Sequence, residues 1–159
     1  IGASRFASMT GLTQTQAEDT LRKYFAPYPQ MDAWLRTAAN NVKVERSTRS
    51  GSGRLARFNF DENDRSSLGS AQRYAKNMPI QGTSADILKR ALRLLHDDIR
   101  STSAKLVNIV HDEIVVECDA ADADQTAATL ESAMLRAGAE FVSKVPIKVD
   151  VHTADEWTK

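Results

Sequence analysis

Cysteine is nearly absent: Cys118 is the sole one, so the chain can form no internal disulfide. It lies in an apolar, strand-like run, which points to a structural thiol in a reducing, intracellular and hence cytoplasmic setting. Histidine is also scarce. His96, His111 and His152 have no recognisable zinc spacing with one another or with Cys118, which disfavours a structural zinc site. The same scarcity argues against a His-Asp metal phosphohydrolase, which carries its HD doublet on helices among further histidines. No serine sits in a nucleophile-elbow context, so a Ser-His-Asp hydrolase is not supported. No run of about 18 or more apolar residues could span a bilayer as a helix. A charged segment followed by an apolar core, the mark of a signal peptide, is not visible.

Net charge is absent too, but the zero conceals an asymmetry. Residues 1–105 hold 17 basic and 10 acidic side chains, whereas residues 106–159 hold 4 and 11. Such a division can pair a polyanion-binding surface with an acidic or metal-binding one, or reflect solvated helix faces. A length of 159 residues suits a single unit, and no repeat or long linker divides it. The first residue is Ile, so a processed piece, an excised domain or a fragment is expected.

Periodicity gives the elements. Thr13 is a plausible N-cap for a helix carrying Ala17, Leu21, Tyr24 and Phe25 at helical spacing. Pro27 and Pro29 break it, and a second helix from about Gln30 aligns Met31, Trp34, Leu35 and Ala38 as a packing face. From Val42 to Arg65 the chain alternates, is rich in arginine and contains Gly51 and Gly53, which suggests a short strand, a glycine turn and a second strand, or a flexible loop. Lys43, Arg46, Arg49, Arg54 and Arg57 make that region basic, suited either to a phosphate backbone or to water. Pro79 should end or kink a helix near Met78. Thr83 and Asp86 then read as a capping-box variant opening a long helix with Leu88, Ala91, Leu92, Leu95 and Ile99 on one face. Another helix, capped by Asp119 or Asp122, carries Leu130, Met134 and Phe141, and "VPIKVDVH" reads as a final strand. The order implies an α+β fold with an antiparallel hairpin packed on helices.

Two constellations carry possible chemistry. In "KLVNIVHDEIVVEC" two apolar runs enclose His111, Asp112 and Glu113, so a tight hairpin would display them at its tip, with strands buried on both sides. Clustered carboxylate oxygens on a rigid turn suit Mg²⁺, but on this triplet alone plain solvation of a hairpin turn is the favoured explanation. Arg73, Asn77 and Gln81 are spaced by four and would form a polar stripe if the backbone stayed helical past Pro79. Their donors match minor-groove acceptors present at every base pair, although an ordinary exposed face has the same spacing.

Together, "AQRYAKNMPIQGTSADILKRALRLL" and "VNIVHDEIVVE" closely resemble the C-terminal part of family A, DNA polymerase I-type, polymerases. "IGASRFASMTGLTQTQAEDTLRKYFAPYP" is similar to the fingers segment after the nucleotide-binding helix, and "DVHTADEW" to the closing palm strand, with Trp157 near the usual terminus. The resemblance thus covers nearly the whole chain, as the end of the fingers plus part of the palm.

It implies template-directed DNA synthesis by two-metal phosphoryl transfer, with Mg²⁺ as cofactor and primer–template DNA and dNTP as partners. Asp112 matches the Mg²⁺-binding aspartate, Glu113 its supporting carboxylate and His111 the histidine near the primer terminus. Arg73, Asn77 and Gln81 match minor-groove contacts. Arg54, with Thr48, resembles residues of the basic hairpin along the DNA. A second palm aspartate and the fingers lysine and arginine that hold the triphosphate have no counterpart here. Ile1 stands where the family typically has Tyr, so the nucleotide pocket is expected to differ. The chain alone is therefore expected to be inactive and to need an N-terminal portion, from the same chain upstream or from a split subunit. A non-catalytic DNA-binding module and a degenerate remnant are the alternatives.

Overall fold

A computed structural model describes residues 2–157; Ile1, and with it the expectation about the nucleotide pocket, lies outside them. The chain forms two compact units, one from residues through Arg46 plus Phe58–Lys76, the other from Ser47–Arg57 plus Asn77 onward. The architecture is α+β, helical with two separate antiparallel ribbons among the described residues.

The first unit is helical. Helix α1 (Ala3–Thr10) stops at Gly11, whose φ of 72° suits glycine. Helix α2 (Gln14–Phe25) opens as expected: the Thr13 side chain accepts from the Gln16 N–H, and the Gln16 side chain caps Thr13 in return. Helix α3 (Pro29–Glu45) starts with its proline in the first turn, where a missing N–H costs nothing. It continues through Val42 and Lys43, which the alternation assigns to a strand. Val42 is fully buried with Phe60, Ala71 and Ala75, and this packing extends the helix. Arg46 then stops it in a left-handed conformation, its guanidinium 4.5 Å over the Phe60 ring and its Nη2 2.5 Å from Glu62 Oε1.

The expected aromatic packing faces are only partly correct. Ala17 is buried and Leu21 and Phe25 half-buried, but Tyr24 is exposed, stacked edge-on against Phe25. On α3, Trp34 is 41% exposed, and Ala39 and Val42 are the buried positions. The buried face is rotated away from the tryptophan because small residues there admit close packing.

The second unit holds both strand ribbons. Strands β1 (Ser47–Arg49) and β2 (Leu55–Arg57) pair with Thr48 opposite Ala56. The largest departure from expectation is helix α4 (Arg65–Ile99), which passes through Pro79 without a break. An interior proline costs about 3 kcal/mol locally, so tertiary support must exceed that penalty. Thr83 does not cap a helix; it lies inside one, with its hydroxyl donating to the Pro79 carbonyl. Asp86 is likewise no capping-box partner, and its carboxylate faces the β1–β2 hairpin.

Beyond α4 come β3 (Lys105–Val110), β4 (Glu113–Glu117), a 3₁₀ turn at Ala120–Asp122 and α5 (Ala123–Phe141). Asp122 occupies the N-cap of α5, but its carboxylate accepts from Ser103 Oγ at 2.6 Å rather than capping. Ala91, Leu95 and Ile99 of α4, Ile114 of β4 and Ala133 and Ala137 of α5 form the core, with Leu88, Leu92, Leu106, Val116, Cys118, Leu130 and Met134 packed on it. Cys118 is thus part of the packing. The expected final strand is not one: residues 145–152 join no ladder among the described residues. Instead Ile147 closes over Gly138 of α5, where an added Cβ would lie 3.0 Å from Ile147 Cγ1. No helix among the described residues is long and apolar enough to cross a membrane.

Candidate metal and nucleic-acid site

The β3–β4 hairpin forms as its sequence suggests, with a tighter tip. Val110 pairs with Glu113, so the turn consists of His111 and Asp112 alone, and Glu113 already belongs to β4. His111 takes φ 57°, a left-handed conformation that non-glycine residues adopt at a cost of about 1–2 kcal/mol. Ile114 is buried against α4 and α5, and strand alternation sends the preceding Glu113 to the opposite, solvent side. All three titratable residues are exposed.

Burial on both sides of the ribbon is not what holds it. Val107 and Ile109 are 51% and 45% exposed, and the register slips between Leu106 and Asn108, leaving Val107 outside the regular pairing. A bulge of this kind releases one residue from the ladder. Leu106, Ile114 and Val116 anchor the hairpin by one face only. Glu113 has a further restraint that no sequence pattern shows. The Trp157 indole N–H donates to its Oε1 at 3.0 Å, tying the end of the described chain to the carboxylate pair.

Asp112 and Glu113 offer hard, solvent-accessible oxygen donors, the type Mg²⁺ takes. Among the described residues, no group of three or more His, Cys, Asp or Glu side chains is gathered to hold a metal. Two carboxylates alone are fewer oxygen donors than Mg²⁺ takes.

Asn77 and Gln81 are both exposed on α4 within the second unit, and Gly82 beside them is buried. The uninterrupted helix preserves their four-residue spacing. Arg73 is exposed in the part of α4 belonging to the first unit, with its Nη2 donating to Ser70 Oγ at 2.7 Å. Thr48 is half-buried in β1. Arg54 is committed to partners: its Nε lies 3.0 Å from Asp86 Oδ1, and its Nη2 donates to the Gly82 carbonyl at 3.1 Å.

Asp86 is the residue the sequence concealed. Ser50 and Ser52 hydroxyls each donate to its Oδ2 at 2.6 Å, opposite the arginine on Oδ1. These hydroxyls, with Arg54, hold its carboxyl below the ordinary aspartate range although burial pushes the other way. An aspartate three residues after a threonine reads as a helix start, and nothing in local spacing links it to serines more than thirty residues earlier.

Comparison with known proteins agrees with the fold and with the family resemblance. The family model for DNA polymerase family A matches residues 1–159. A thermostable DNA polymerase I from Thermus caldophilus is 30% identical over 159 residues, covering 99% of this chain and 19% of that protein. DNA polymerase I from Aquifex aeolicus is 45% identical over 87 residues, 54% of this chain and 15% of that protein. The chain thus spans less than a fifth of the length of these relatives. A solved structure of the polymerase domain of Pol1 from M. smegmatis, in complex with DNA primer-template and dNTP, superposes with a TM-score of 0.81 at 24% identity, covering 86% of this chain and 24% of that one. With the model matched from end to end, this chain belongs to DNA polymerase family A.

Proposed function

We propose that residues 1–159 act as one portion, the end of the fingers with part of the palm, of an enzyme that transfers a nucleotidyl group from dNTP to a primer 3′-hydroxyl under template direction. The observation that carries this reading lies within the second unit. A hairpin bearing Asp112 at its tip and Glu113 beside it packs on the helix that displays Asn77 and Gln81. A binding-only module would need the amides but not the carboxylates.

In this reading Asp112 and Glu113 supply oxygen ligands to Mg²⁺, which when bound would neutralise charge at the reacting phosphates. The primer 3′-hydroxyl gives up its proton to water, its oxygen bonds to the α-phosphorus of dNTP, and pyrophosphate leaves with the electron pair of the broken bond between that phosphorus and the bridging oxygen. His111, next to Asp112, contacts the primer end. Asn77, Gln81 and Arg73 donate to minor-groove acceptors shared by all base pairs, so they sense pair geometry without reading sequence. Thr48 and the basic hairpin lie along the duplex. The remaining metal ligand and the triphosphate-binding cations come from an N-terminal portion, on the same polypeptide or a separate subunit, in an intracellular setting where DNA is copied.

Primer extension by this chain alone and mixed with that portion tests the reading. Extension only in the mixture, lost with Asp112→Asn, is the expected result. No extension in the mixture would sink the proposal, and duplex binding without extension would favour a non-catalytic module.

A further inference from the structure

The β1–β2 loop is folded onto α4 with more polar contacts than a short surface turn requires. The loop closes on itself through Ser50 N–H to the Arg54 carbonyl at 3.0 Å and Gly53 N–H to the Ser50 carbonyl at 2.9 Å, with Gly53 at φ 84°. Its three polar side chains, Ser50, Ser52 and Arg54, then converge on one carboxylate, that of Asp86. The Asp86 side chain is only 10% exposed and Ser50 is buried. A carboxylate so placed is tolerated because donors surround it; of the about four acceptor sites of an ionised carboxylate, three are filled here, by Ser50, Ser52 and Arg54.

Backbone contacts fasten the same seam. Gly51 N–H donates to Thr83 Oγ1 at 2.7 Å, and the Gly82 carbonyl receives Arg54. Both glycines admit the loop closely: a Cβ on Gly51 would come 2.9 Å from Thr83 Cγ2, and one on Gly82 would come 2.9 Å from Met78 Sδ and 3.1 Å from Ser50 Cβ, so a side chain at either position would require its neighbours to shift. Gly82 directly follows Gln81, so the seam begins at the residue that displays the groove-reading amide.

We propose that Asp86 is a positioning residue that fastens the β1–β2 hairpin to α4, so that the hairpin cations and Gln81 meet duplex DNA as one surface. The inference rests on the reading of Gln81 as a DNA contact. Arg54 acts in it as a strut, its charge balanced by Asp86; Arg57, exposed, is left to face phosphates, together with exposed Arg49, whose Nη1 also donates to the Gly53 carbonyl at 2.8 Å. Without Asp86, Ser50, Ser52 and Arg54 lose their shared acceptor and the hairpin moves independently of the helix.

Fluorescence anisotropy with a labelled primer–template duplex, titrated at several salt concentrations against this chain and its variants, tests the role. Asp86→Ala is expected to weaken binding by about tenfold and to reduce the salt slope by roughly 0.9 for each phosphate that is no longer neutralised. Asp86→Asn, which keeps an acceptor for Arg54, should recover much of both. Arg57→Ala should weaken binding in the wild-type background and have little further effect in Asp86→Ala. A variant that melts earlier yet, while folded, binds with wild-type affinity and slope would overturn the positioning role. Should Asp86→Ala fail to fold, the Ser50→Ala/Ser52→Ala variant removes two of the three donors and carries the same comparison. Gln81→Ala reads the underlying assignment separately. If it weakens binding and the Asp86 variants do not, only the positioning role fails; if neither it nor they matter, both fail.

Discussion

The Trp157 indole nitrogen lies 3.0 Å from Glu113 Oε1, so a residue at the end of the described chain orients one of the two hairpin carboxylates. An indole N–H is a donor only, and a hydrogen bond to a charged acceptor contributes about 1.5–3 kcal/mol at most, less at an exposed site. Trp157→Phe keeps an aromatic ring and removes the donor. It is expected to shift the Mg²⁺ midpoint of the reconstituted extension reaction by a few-fold, with duplex affinity unchanged. A Mg²⁺ titration at saturating DNA measures it, and an unaltered midpoint would show that the bond does not set the carboxylate.

His111 holds its left-handed φ of 57° because a two-residue hairpin leaves its first position little choice. A β-branched side chain suffers most there. His111→Val should therefore destabilise the chain by about 1–2 kcal/mol in urea unfolding, whereas His111→Gly should not. Equal destabilisation in both would mean that imidazole contacts, and not backbone conformation, set the stability at this position.

Pro79 inside α4 predicts the reverse sign. Pro79→Ala restores a helical N–H and removes the ring clash, so stability should rise by about 1–3 kcal/mol. Differential scanning calorimetry would record a higher Tm. A lower one would mean that the proline ring itself packs favourably.

Asp86 makes stability depend on acid. Its carboxyl is held below the unfolded aspartate value of about 3.9, chiefly by Ser50 and Ser52 and then by Arg54. A depressed folded pKa contributes stability that is fully present above the unfolded value and is lost as pH falls through the folded one. The difference in unfolding free energy between wild type and Asp86→Asn should be constant above about pH 5 and shrink below about pH 4. A difference that does not vary from neutrality into acid would show that the charge on Asp86 contributes nothing.

What can be read from the sequence divides along physical lines. The Thr13–Gln16 capping box, the β3–β4 hairpin and the Leu88–Ile99 face are legible because each is set by residues within a turn or two of one another. The family is legible from the motif pair around Gln81 and Asp112 before any geometry, and the end-to-end family match agrees with that membership. Local rules fail where distant residues intervene. Pro79 reads as the end or a kink of a helix, but one helix continues through it, and the β1–β2 loop bonds to Gly82, Thr83 and Asp86 just beyond. Trp34 reads as core, yet the close-packing Ala39 and Val42 take that face.

Side-chain type and short spacing are enough for the Thr13 cap, the Leu88–Ile99 face of α4, the carboxylate-bearing turn and the family, and all of these stand in the sequence unaided. Folding in three dimensions adds the rest. It makes Asp86 a hub and Arg54 a strut, brings Trp157 to Glu113 and leaves residues 145–152 without a strand partner among the described residues. The reason is that burial and hydrogen-bond partnership are properties of neighbours in space. Ser50 and Asp86, or Glu113 and Trp157, become neighbours only after the intervening chain has folded.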